Sequence, residues 1–108
     1  MNPNYIYTGR PSETFQLTVT DAAQQFAVAL RRPVNSHAIG ALITCEDNDV
    51  KFCLGGSDPV SDGLGHILYA TQSIKLANPY AISTFSYINS VAQSVGILQV
   101  TFSFEVGV

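Results

Sequence analysis

The chain has 108 residues, enough for one domain around a single core and too few for two. A formal charge of -3 and a pI near 5.0 exclude the clustered Lys and Arg of a nucleic-acid footprint. The pair Arg31-Arg32, followed by Pro33, reads as a solvated loop. No run approaches the ~20 apolar residues that a membrane span needs, and the start of the chain lacks the basic head and apolar centre of a secretory leader. Synthesis in a reducing cytoplasm is the expectation.

Residues 1–12 carry Asn2-Pro3-Asn4 and Arg10-Pro11 around Tyr5-Ile6-Tyr7. The prolines bar a central strand, so this segment is an edge strand or an extended arm. It either reaches a neighbouring subunit or folds back on its own domain. The remainder, 13–108, is expected to be one β-sandwich domain. From Glu13 to Thr20, Phe15, Leu17 and Val19 alternate with Gln16, Thr18 and Thr20, the pattern of a half-buried strand. Thr20-Asp21-Ala22-Ala23 resembles a capped helical turn. Gln25 then restarts a period of two with Phe26, Val28 and Leu30 inward. A helix over 21–30 is the competing reading, because Ala22, Phe26 and Leu30 share a helical face.

Two apolar runs, Ile39 to Cys45 and Val50 to Leu54, flank Glu46-Asp47-Asn48-Asp49 and predict a hairpin. In it Cys45 lies opposite Val50 and faces the core, while Cys53 lies on the outer face beside Lys51, covered by a second layer or a partner. Thiols on opposite faces of one hairpin cannot bridge. Gly55-Gly56, Asp58-Pro59 and Asp62-Gly63 mark an ordered surface loop. His66 to Tyr69 and Ser73 to Leu76 read as short strands, Ala77-Asn78-Pro79-Tyr80 as a turn, and Ser83 to Ile88 as a strand. After a polar connection from Asn89, Gly96 to Val106 alternates most regularly: Leu98, Val100, Phe102, Phe104 and Val106 against Gln99, Thr101, Ser103 and Glu105. The sum is about seven to nine short antiparallel strands with at most one short helix: an all-β sandwich, jelly-roll-like or a flattened barrel.

Catalytic chemistry is weakly represented. His37 and His66 are the only histidines, no nucleophile elbow is present, and Ser57 belongs to a turn. Asp47, Asp49, Asp58 and Asp62 offer hard oxygen ligands for calcium, but the spacing of an EF-hand is missing and turn chemistry explains them. No cofactor or zinc motif is found, so the chain is expected not to be an enzyme and to need no cofactor. The charge distribution is more informative. Charged residues make up 12% of the chain against about 25% in ordinary domains, and between Gly63 and Phe104 only Lys75 carries a full charge. A polar, nearly uncharged surface suits a protein that lives in an assembly, the alternative being a small, serine-rich β domain that is merely soluble enough.

From Ala38 to Leu76 the succession of strand, turn, Leu54-Gly55-Gly56-Ser57-Asp58-Pro59-Val60-Ser61-Asp62-Gly63 and Ser73-Ile74-Lys75-Leu76, with Phe85 and Tyr87 beyond it, resembles small β-sandwich virion proteins of tailed bacteriophages, of the capsid decoration or cement type. The resemblance implies a non-enzymatic structural protein made in the host cytoplasm and resident on the capsid surface. Its partners would be itself, as a dimer or trimer, and the major capsid protein, with no nucleic acid and no membrane. Tyr5, Ile6, Tyr7, Tyr69 and Tyr80 are the candidate interface residues. The alternative is a receptor- or glycan-binding module of a tail or fibre, in which the tyrosines replace the tryptophan that this chain lacks.

Overall fold

A computed structural model of the chain describes residues 10–31, 38–91 and 95–104. Among these residues eight strands form two four-stranded antiparallel sheets. In chain order they are β1 (Arg10–Val19), β2 (Gln24–Gln25), β3 (Ala38–Glu46), β4 (Val50–Cys53), β5 (His66–Leu68), β6 (Ser73–Leu76), β7 (Ser86–Asn89) and β8 (Gly96–Phe104). A helix, α2 (Pro79–Thr84), and a single helical turn, α1 (Val28–Arg31), complete the described elements. One sheet runs β1-β8-β3-β6 and the other β2-β7-β4-β5. That is the order of a double Greek key, the jelly-roll form of the β-sandwich.

The inner faces are set by alternation. On β8, Leu98, Val100, Phe102 and Phe104 point inward and are buried, and Ile43, Cys45 and Ala41 of β3 stand beside them in register. From the second sheet come Val50, Phe52, Leu68 and Tyr87. Rings bind the two layers: Phe85 stacks on Phe26 at 5.1 Å and on Phe52 at 5.3 Å, and Phe26 meets Phe102 edge-on at 5.2 Å. Each such buried side chain contributes about 1.5–3 kcal/mol by burial alone.

Three local expectations are corrected. The runs before and after the acidic turn do not pair. β3 joins β8 and β6, while β4 joins β7 and β5 in the other sheet. The connection is an arch between layers, with Asp47 in a left-handed conformation at φ 66. Cys45 and Val50 therefore belong to opposite layers of the core. Second, residues 21–30 are neither one helix nor one strand. Phe26 is buried, but Val28 is 56% exposed in α1, which breaks the period of two. Third, Ala77 to Tyr80 is no simple turn. Asn78 caps α2, its Oδ1 accepting from the Ala81 N–H at 2.7 Å with Pro79 in the first turn.

Jelly-roll winding gathers the connections at two ends. At one, the β1–β2, β3–β4, β5–β6 and β7–β8 connections are bonded together. The Asn89 N–H donates to the Thr20 carbonyl, Asn48 Nδ2 to the Val95 carbonyl and the Ala70 N–H to Asp49 Oδ1. At the other, the β4–β5 loop meets α2 through the Gly55 N–H and Thr84 Oγ1 at 3.0 Å.

Candidate functional site

The outer face of the β1-β8-β3-β6 sheet is built from the outward half of the same alternation that fills the core, mostly polar residues with Leu42 and Ile97 among them. Thr14 and Thr101 share a hydrogen bond at 2.7 Å, and Thr44 and Ser73 one at 2.8 Å. Gln99 Nε2 donates to Gln16 Oε1 at 2.9 Å and to Glu46 Oε1 at 3.1 Å. These bonds run across the strands and cover all four of them, so the side chains are held in a fixed lattice. Glu46 and Lys75 are the charged residues among the positions paired across this face from Thr14 onward. Its end at Gly40 and Ser103 is buried, while Thr14, Gln16, Glu46, Ser73 and Lys75 are exposed. The result is a broad, rigid and nearly uncharged platform. The polar positions 99 and 101 signalled it in the sequence; the partners that tie them did not, because each lies many residues away.

The opposite sheet has a covered outer face. The β4–β5 loop, residues 54–65, folds back over it. Lys51 Nζ donates to the Gly63 carbonyl, Ser86 Oγ to Asp58 Oδ1 at 3.4 Å, and Pro59 is buried. Gly65 makes this close approach feasible. Its φ is +136, and a Cβ there would stand 3.3 Å from the Phe52 carbonyl and from Pro59. Cys53 does lie on the outer face beside Lys51, and the chain's own loop covers it, leaving it 6% exposed. A shallow cleft of about 370 Å³ opens among Cys53, Leu54, Ser57, Leu64, Gly65 and His66. His66 sits at its rim with its ring 5.5 Å from Phe52. His37 is outside the described residues.

The two candidate interface residues among the described ones, Tyr69 and Tyr80, do not converge. Tyr69, 52% exposed, follows β5 at the end where four connections are bonded together. Tyr80, 68% exposed, rides on α2 at the opposite end. Tyr5, Ile6 and Tyr7 lie outside the described residues. The acidic connections are occupied with structural bonds: Asp49 Oδ1 accepts from Ala70, and Asp49 O accepts from the Ser90 N–H at 3.1 Å. Among the described residues no group of three or more His, Cys, Asp or Glu is placed to hold a metal ion. No described helix is long and apolar enough to cross a membrane.

One buried polar group escaped the sequence reading, while Cys45 faces the core as expected. Asn89, with no exposed surface, accepts from the Gly96 N–H at 3.1 Å and donates to Asp21 Oδ1 at 3.3 Å, tying β7 to β8 and to the β1–β2 connection. Nothing in its neighbours in sequence distinguishes it from a turn asparagine. Cys45 donates its thiol to the Asn48 carbonyl at 3.2 Å. Burial, and then the nearby Asp49, push its pKa from 9.0 up to about 11, so it stays protonated. Cys45 and Cys53 are both free. No family model matches the sequence, and comparison with curated proteins and with solved structures found no similar protein.

Proposed function

We propose that this chain is a non-enzymatic structural subunit of a bacteriophage particle, a capsid decoration (cement) protein that binds the major capsid protein and itself. The observation that carries the reading is the open platform on β1-β8-β3-β6. A docking surface loses affinity by ordering side chains and by stripping water from charges. Here the side chains are already fixed by Thr14–Thr101, Thr44–Ser73 and Gln16–Gln99–Glu46 bonds, and few charges need desolvating. Such a face suits repeated, closely packed contacts on a shell. The fold supports the class only by analogy: jelly rolls serve in viral capsids but also in lectins and cupins. The protein is made in the host cytoplasm and resides on the capsid surface as a dimer or trimer.

A receptor- or glycan-binding module of a tail or fibre is the second reading, and it draws on exposed tyrosines gathered at one end. Tyr69 and Tyr80 stand at opposite ends, which favours the first. The test is sedimentation of the purified chain with phage heads that lack it, alongside mass spectrometry of purified virions. Saturable binding to heads and presence in the virion are expected. Binding to tails or host glycans in place of heads would turn the assignment to the second reading.

A further inference from the structure

Sheet edges are templates for pairing with another strand, and proteins blunt them with short strands, charges, prolines or bulges. Three of the four edges here are blunted by length: β2 has two residues, β5 three and β6 four. β1 is different. It is ten residues long, and its one irregularity lies between Pro11 and Thr14. Beyond that, Thr14 to Val19 run in unbroken register with β8 and include no charge, glycine or proline. Among the described residues, nothing pairs with its outer side. Gln16 and Thr14 are tethered to Gln99 and Thr101, which keeps the strand flat against its sheet. Phe15 and Leu17 are only partly buried at the margin of the core.

We infer that this edge is where a second copy of the chain binds, β1 to β1 and antiparallel, about a two-fold axis at Gln16. The inference rests on the self-associating subunit proposed above and names its surface. The sequence is self-complementary about that axis. Phe15 of one copy faces Leu17 of the other on the core side, and Thr14 faces Thr18 on the polar side. No like charges oppose one another, and an isologous contact of this kind closes as a dimer. Pairing from Thr14 to Thr18, about 17 Å at ~3.4 Å per residue, joins the two sheets into one of eight strands. The two polar platforms then form one continuous surface.

Charge reversal at the axis provides the test. Gln16 is exposed, so Gln16→Lys and Gln16→Glu should each fold, as melting curves will check. In either variant alone, like charges meet across the axis, and the dimer measured by sedimentation velocity should weaken at least about tenfold. An equimolar mixture of the two should recover the dimer as a heterodimer. An oligomer indifferent to both variants, or a mixture that does not recover, overturns this interface while leaving the assembly reading intact. A wild-type chain that is monomeric at every concentration yet binds heads overturns it too. Persistent hydrogen-exchange protection of the outward β1 amides in monomeric Gln16→Lys would show that the chain covers the edge itself, with the same consequence.

Discussion

Cys45 has the environment of a small hydrophobe and the chemistry of a very weak acid. Ile43 and Cys45 lie on the same face of β3, Leu98 of β8 is opposite, and no part of the residue reaches solvent. Burial, Asp49, Asp47 and Glu46 all disfavour the thiolate, and only the Val50 N–H opposes them. The folded state therefore holds the proton more tightly than the unfolded chain does. Stability from this group is complete below pH 9.0 and is lost as the pH rises towards about 11. Burial raises Tyr87 as well, which adds a loss of the same sign in the alkaline range. The urea midpoint should fall between these values, and Cys45→Ala, though less stable at neutral pH, should show a shallower fall. Equal alkaline slopes in the two proteins would assign the loss to other groups. Neither thiol should react with a disulfide reagent at pH 8 until the chain is unfolded.

At the scale of elements, β8 was the most legible because its alternation is long and uninterrupted, and the structure keeps it from Gly96 to Phe104. The β3–β4 connection shows where such reading ends. Alternation tells which residues face inward, and both Cys45 and Val50 do. It does not tell which layer they face inward from. Hairpin and arch have the same local pattern, and the choice is made by β8, whose residues pair with β3 across more than fifty positions of sequence. The platform was legible for the same reason only in part: its polar residues are visible in the sequence, but their cross-strand bonds are not. Asn78-Pro79 is a different failure. The pair marks turns, yet it is equally an N-cap with proline in the first turn, and the structure uses it to start α2. The cap is worth about 1 kcal/mol. Asn78→Ala should lower stability in urea by that amount, whereas Asn78→Asp, which keeps the acceptor for Ala81, should stay within about 0.5 kcal/mol of the parent. Equal losses in both variants would mean that Asn78 matters for something other than its side-chain oxygen.

For the whole molecule the two sheets differ in what they leave open. The β2-β7-β4-β5 sheet carries its own loop over β4 and β7, while the β1-β8-β3-β6 sheet offers a platform exposed from Thr14 and Gln16 to Ser73 and Lys75, with β1 as its margin. If margin and platform serve different partners, self-association and shell binding must be separable by substitution. Thr44 lies on β3, two strands in from β1, and its hydroxyl bonds to Ser73 on the face. Thr44→Lys places a long cation on the platform with its stem free to reach water, so stability should change by no more than about 1 kcal/mol. Docking against a shell would have to desolvate that charge, and head binding in the sedimentation assay should weaken at least about tenfold. Self-association through β1 should be untouched. Ala22→Lys, at the exposed β1–β2 connection beyond the platform, is the control and should bind heads like the parent. If Thr44→Lys binds heads normally, the shell contact lies on the loop-covered side. If it also dissociates the oligomer, the two surfaces are one, and copies pack face to face across the platform in place of edge to edge.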